Sequence, residues 1–152
     1  MECARALKAI TARAGTFGLK SAILENKVVY VDMNDCPAQL DILAHVDVVP
    51  AGDGWSVTEP FVPLIKDGKL YGCGTCDDKG PAVAALYAMR AVRELNIPLK
   101  YNVRLILGAD EETGCRDTDC YYSHFKEAPC SYSPDGEYPV INLEKGGLGC
   151  YE

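Results

Sequence analysis

Residues 40–49 read LDILAHVDVV, an apolar run with the character of a buried β-strand except at His45 and Asp47. Polar side chains at the end of such a strand need partners, because burying each one unpaired costs about 1–3 kcal/mol or more. Alternate strand residues face the same side, so His45 and Asp47 share a face. A carboxylate placed there can hold one imidazole N–H and fix the tautomer of a histidine that binds metal through its other nitrogen. A core histidine bonded to a local aspartate explains this pair, taken alone, equally well.

Three further acid-bearing clusters follow: Cys76-Asp77-Asp78-Lys79-Gly80, Asp110-Glu111-Glu112, and Ser133-Pro134-Asp135 with Glu137 just after. Each falls at the end of a predicted strand or in the turn beyond it. One imidazole and several carboxylates arriving from separate strand ends is how a chain assembles a divalent metal site. Asp77-Asp78 precedes a predicted helix, where one Asp serves as a cap and a second must point elsewhere. Adjacent residues of an extended chain point apart, so Glu111 and Glu112 reach one site only where the chain turns, as Gly114 permits. One would then be a ligand and the other a free general base. Asp135 alone reads as a turn residue, and Glu111-Glu112 alone as a solvated acidic loop. The four signals in this order carry more weight than any one of them.

Outside these clusters the chain has the composition of a globular domain. Its 152 residues, 48% hydrophobic and 24% charged, suffice for one core. The net charge of −7 argues against nucleic acid as a partner. No apolar run approaches the roughly 20 residues of a membrane-spanning helix. The N-terminus, MECARALKAITARAG, lacks the apolar core of a signal peptide, so a cytoplasmic location and no membrane partner are expected. On that expectation the eight cysteines are free thiols. Cys73-x-x-Cys76 has the spacing of a redox pair or half a zinc site, but Cys115 and Cys120 are too widely spaced for the second half.

The element pattern is α/β. A helix is predicted over 2–13, strands over 21–26 and 27–33 with a turn at Glu25-Asn26, and the histidine strand over 40–49. Lys66-Asp67-Gly68-Lys69 is a hairpin turn between 62–65 and 70–72. Gly80-Pro81 opens a helix to about Leu95, with Ala85, Ala88, Met89, Val92 and Leu95 as its buried stripe. A strand over 101–107, a short helix around 117–127 and a strand near 138–143 follow. Sites in such sheets lie at the carboxyl edge. Trp55 reads as a loop packing anchor, and His124 as an exposed or structural helix residue.

AHVDVVPAGDGW, PFVPLIKDGKLYGCGTCDDKGP, LILGADEETG and YSPDGEYPVINLEKG, in this order, resemble the M20 zinc metallopeptidases. The likeness is to the dipeptidase V and Xaa-His dipeptidase (carnosinase-like) branch, and runs from about Gly18 to Gly147. Related deacylases and desuccinylases share the ligands. The resemblance implies a three-layer mixed sheet with flanking helices, as an incomplete M20-type catalytic domain. It makes His45 a ligand of one zinc, Asp77 the bridge to a second, Glu112 a ligand of the second, and Asp135 a partner of His45. Asp47 would orient His45, and Glu111 would be the general base in hydrolysis of a small peptide, a dipeptide with a free amine. It also implies a cis Asp77–Asp78 peptide bond.

Three departures from the family pattern accompany the likeness. A late His ligand has no counterpart, the chain ends where a lid domain would begin, and Cys73 stands where Arg is common. Residues 1–152 are accordingly expected to be a partial catalytic domain without its C-terminal part or lid. They would hold one zinc or none where the complete site holds two, and a homodimer is implied only with the lid. The competing expectations are a catalytically silent metal-binding remnant, or a fragment of a related deacylase or desuccinylase.

Overall fold

The computed structural model describes residues 2–136. The first helix, α1 (Glu2–Thr16), leads into a hairpin of β1 (Lys20–Leu24) and β2 (Val28–Asp32). Three residues separate the paired Leu24 and Val28; Glu25 and Asn26 both have positive φ, at 48° and 57°, and the Lys27 amide donates to the Leu24 carbonyl at 2.9 Å. The histidine strand is β3 (Ala38–His45), followed by a small exposed hairpin, β4 (Leu64–Lys66) and β5 (Lys69–Tyr71). Then come α2 (Lys79–Glu94), β6 (Asn102–Gly108), a 3-10 turn at Glu111–Thr113, α3 (Arg116–His124) and β7 (Cys130–Tyr132).

The main sheet has the order β1-β2-β6-β3-β7. β1, β2 and β6 pair antiparallel, while β3 lies parallel to both β6 and β7. Parallel neighbours need a crossover, and the segment from β3 through α2 to β6 supplies it. Helices cover both faces, giving three layers. On one face Leu7 of α1 and Leu86 and Met89 of α2 pack on Val29, Val31, Leu105 and Leu107. On the other, Tyr121 of α3 packs on Val28 and Ile106. Because β6 is covered on both sides, its sequence reads as an almost continuous apolar run instead of an alternation.

Arg104 is the exception in that run, and it is fully engaged. Its Nε and Nη2 donate to the two carboxylate oxygens of Asp32 at 2.6 and 2.9 Å, and its Nη1 donates to the Tyr121 hydroxyl at 2.8 Å. The guanidinium also lies 4.7 Å from the Tyr30 ring centre and 4.8 Å from that of Phe125. The planar fork and its stacking surface suit arginine and would not suit lysine.

Most of the sequence-predicted elements are present, with two differences. The histidine strand stops at His45, not Val49. Its neighbour β6 ends at Gly108, the residue opposite His45, so after one more bond, from the Val46 amide to the Gly108 carbonyl at 2.9 Å, the ladder has nothing left to pair. Strand β7 was not anticipated, because its three residues are all exposed and carry no apolar pattern. The strand expected near 138–143, and Glu137, lie outside the described residues.

Arg104→Ala is expected to cost about 3 kcal/mol or more, since it leaves the Asp32 carboxylate buried without its cation. Arg5→Ala, which breaks an exposed pair with Glu2 on α1, should cost less than about 0.5 kcal/mol. Urea denaturation of the two variants checks the contrast, and equal losses would show that the Arg104 pairing contributes little.

Candidate metal centre

The register of the sheet brings the acid clusters to one edge. His45 is the last residue of β3 and lies opposite Gly108, so the Asp110-Glu111-Glu112 turn starts two residues beyond its level. Ile42 pairs with Tyr132, which carries Asp135, three residues on, towards the level of His45 on the other side. The imidazole is buried, with 2% of its side chain exposed. Its Nδ1 faces two acceptors of Asp47, the main-chain carbonyl at 3.2 Å and carboxylate Oδ1 at 3.3 Å, and so carries a proton. Its Nε2 faces Asp77 Oδ1 at 2.9 Å, Asp135 Oδ2 at 3.4 Å and Glu111 Oε2 at 3.9 Å.

Asp47 does more than orient the ring. Its Oδ1 accepts the Glu111 amide at 3.3 Å, and its Oδ2 accepts the Glu112 amide at 3.1 Å. One carboxylate therefore fixes both the histidine and the first turn of the Glu-Glu segment. That 3-10 turn lets two adjacent glutamates reach the same space, and Gly114, at φ +132°, lets the chain leave it. Ligand atoms of His45, Glu111 and Glu112 lie within 4.8 Å of one another, as do those of His45, Asp77 and Asp135.

Asp77 and Asp78 diverge at a cis peptide bond. Asp78 occupies the N-cap position of α2 yet makes no side-chain capping bond. Instead it is fully buried, and its Oδ2 accepts the main-chain N–H of His45 at 3.2 Å. Asp77 projects outward, with 59% of its side chain exposed. Lys79 turns back to donate to the Val46 carbonyl at 3.1 Å. Gly74 keeps that path open, since a Cβ there would stand 2.2 Å from Lys79 Nζ.

The electrostatics follow from this crowding. Burial opposes charge on His45, but the hydrogen bond and charge of Asp47, with Glu111 and Asp135, outweigh it and raise the pKa to about 9. Burial raises Glu111, and the carboxylates of Glu112, Asp135 and Asp47 add to it against the pull of His45. Burial also drives Asp78 up, to about 6. Asp47 is held below its usual value because hydrogen bonds from His45 and the Glu112 amide overcome its burial. Among the described residues no lysine or arginine forms an ion pair with Asp77, Asp135, Glu111 or Glu112. The cluster thus holds more negative charge than one imidazolium offsets.

A divalent ion fits this donor set. Two ligands at zinc bond lengths of about 2.0–2.2 Å lie roughly 3.3–3.6 Å apart in a tetrahedron. The 2.9 and 3.4 Å separations from His45 Nε2 to Asp77 and Asp135 bracket the lower end of that span. An imidazole whose other N–H is held by a carboxylate is the usual form of a metal ligand.

One supporting residue carried no sequence signal. Asp117, buried in the first turn of α3, accepts the Asp110 amide at 2.8 Å and so bends the chain into the Glu-Glu turn. Asp110, the first acid of its cluster, points away, paired with Arg116 Nε at 2.6 Å and bonded by Thr113. Trp55 is half-exposed and bonds to the Ala51 carbonyl of its own loop at 2.7 Å, so it braces that loop without entering the core. Cys73 and Cys76 are both free thiols.

The sequence profile described as Peptidase family M20/M25/M40 matches residues 42–141. "Putative dipeptidase YtjP" of Bacillus subtilis is 39% identical over 129 residues, 85% of this chain and 28% of that protein. A Staphylococcus epidermidis protein of the same designation is 44% identical over 107 residues, 70% of this chain and 23% of its own. Among solved structures, human carnosine dipeptidase 1 superposes with a TM-score of 0.75 at 25% identity, over 90% of this chain and 33% of that one. The M20 family metallo-carboxypeptidase Sso-CP2 of Sulfolobus solfataricus gives 0.72 at 25%, over 86% and 32%. The chain spans about a quarter to a third of the length of these relatives.

Gly108→Ala tests how tightly the turn is built. A Cβ at this position would lie 2.1 Å from Asp117 Oδ2, which holds the Asp110 amide. The variant should lose about 1–3 kcal/mol, and the Asp110 amide should exchange faster with solvent. A neutral variant with an unchanged Asp110 amide would show that the turn is not fixed through Asp117.

Proposed function

The chain belongs to peptidase family M20/M25/M40, and we propose that it forms the metal-binding part of a zinc-dependent dipeptidase. The observation that carries this reading is the buried His45 Nε2 facing three carboxylates at 2.9–3.9 Å. The dipeptidase designations of the curated relatives and the carnosine dipeptidase fold support the substrate class. On this reading residues 1–152 are part of a catalytic domain, and the lid belongs to the greater length of the relatives that the chain does not span.

His45, Asp77 and Asp135 hold one zinc, and Asp77 with Glu112 contributes to a second. Bound zinc supplies the Lewis acidity that polarises a scissile carbonyl and makes water acidic at neutral pH. The chain's own residues supply the rest. Asp47 locks the imidazole through Nδ1 and presents Glu111 and Glu112 through their amides. Glu111 takes the proton of the attacking water at a carboxylate oxygen and passes it to the leaving amine. Its raised pKa suits the first half of that transfer, because a more basic carboxylate accepts the proton more readily. Asp78 fixes the histidine main chain from behind, leaving Asp77 free on the solvent side.

Zinc binding and hydrolysis separate the roles. His45→Ala and Asp77→Ala should each lose zinc in a chelator-competition titration. Glu111→Gln should keep its zinc while hydrolysis of an unsubstituted dipeptide by the complete gene product falls about 10²–10⁴-fold. Asp47→Asn should weaken zinc about 10–100-fold. Zinc retained by His45→Ala, or undiminished hydrolysis by Glu111→Gln, would overturn the assignment.

A further inference from the structure

A second group of ligand-type side chains stands apart from the acidic cluster, on the far side of β6 from His45. Glu25 comes from the β1–β2 turn, and Cys120 and His124 from successive turns of α3, four residues apart on one face. A carboxylate oxygen, Cys120 Sγ and a His124 ring nitrogen lie within 4.8 Å of one another. We propose that Glu25, Cys120 and His124 form a separate site for one divalent transition-metal ion of the zinc class, with its fourth position open to water.

The state of the imidazole supports this. The Ser123 hydroxyl donates to the Cys120 carbonyl at 2.7 Å, so its proton is already used. His124 Nδ1 lies 2.9 Å from that carbonyl and 3.0 Å from Ser123 Oγ, and both face it as acceptors. The Nδ1 position therefore carries the proton, and Nε2 presents its lone pair. That lone pair faces Glu25 Oε1, another acceptor, at 3.9 Å. Two acceptors facing each other leave room for a cation between them. A metal-binding histidine characteristically donates its second ring N–H to a main-chain carbonyl in this way.

The nitrogen–oxygen distance needs little adjustment. Ligands of a tetrahedral zinc are separated by roughly 3.3–3.8 Å, against 3.9 Å here between nitrogen and oxygen. Half of each of the Glu25 and His124 side chains is exposed, so both can close by a rotamer shift. The Cys120 thiol lies within 4.8 Å of a Glu25 carboxylate oxygen, and burial and that carboxylate both hold the thiol pKa up. On binding, the ion replaces that thiol proton, which leaves to solvent, and the sulfur–metal bond forms with the thiolate. Lys27 Nζ lies 3.4 Å from the other carboxylate oxygen, Oε2, and leaves Oε1 available. A sulfur, nitrogen and oxygen set favours zinc, cobalt or copper over calcium or magnesium. An ion held there ties α3 to the β1–β2 turn.

Cobalt(II) titration of the reduced full chain distinguishes this site from the acidic cluster, whose grouped ligand atoms are imidazole nitrogen and carboxylate oxygens. Thiolate ligation gives an intense near-ultraviolet charge-transfer band that nitrogen and oxygen ligands do not. The band should saturate at one equivalent and be absent in Cys120→Ser. In His124→Gln and Glu25→Gln, at exposed positions that leave the core untouched, cobalt affinity read from the band should fall at least about tenfold. The band should be unchanged when Cys73 and Cys76 are both replaced by Ser. No thiolate band, a band undiminished in His124→Gln, or a band lost with Cys73 and Cys76 would each overturn the proposal.

Discussion

The parallel pairing of β3 with β6, in the register that sets His45 opposite Gly108, is the constraint on which the rest of the site depends. It ends both strands at one level, so the chain leaving β6 turns directly over the imidazole. The Asp47 carboxylate then locks the arrangement across the gap, taking the imidazole on one side and two amides of the Glu-Glu turn on the other. Slipping β3 by one residue would turn His45 to the opposite face of the sheet and break all of these bonds together. The apolar residues on both faces of β6 hold that register, which is why the geometry of the acidic cluster rests on Leu105, Ile106 and Leu107 as much as on the acids.

Charge works against the fold at this edge. Five carboxylates gather around one buried imidazole; their charge raises the His45 pKa, and burial together with the neighbouring carboxylates raises that of Glu111. A globular domain assembles such a cluster only where its main chain is independently fixed. Asp78, Lys79 and Asp117 do that fixing, each with a hydrogen bond to a main-chain amide or carbonyl. The first row of acids is thereby left without competing partners.

Much of this was legible in the sequence, for a physical reason. His45 and Asp47 stand out because apolar strands do not end in polar pairs without cause, and Asp110-Glu111-Glu112 announces itself by following an apolar strand. The helix from Gly80 and the hairpin at Asp67-Gly68 were equally plain, because proline and glycine act locally. What stayed hidden was set by long-range contact. Asp78 looks like a helix cap, and only the packing of α2 against β3 turns it to the His45 amide. Asp117 is an ordinary first-turn acid until Gly108 brings β6 within reach of it. β7 has no pattern of its own and exists because β3 offers it an edge.

The same limit explains why His124 read as a bystander. Cysteine and histidine four residues apart mean little on a helix until a third donor is supplied, and Glu25 lies almost a hundred residues earlier in the chain. The antiparallel register of β2 with β6 places Val28 opposite Gly108, so the β1–β2 turn sits at the same sheet edge as the acidic cluster. The edge where β3 and β6 end thus carries two kinds of donor set, divided by β6: imidazole with carboxylates beside β3, and thiol with imidazole beside β2. Only the first has its histidine buried and its carboxylates crowded, the condition that raises the basicity of Glu111. The second has its glutamate and histidine half-exposed, so an ion held as proposed there would clamp α3 to the β1–β2 turn.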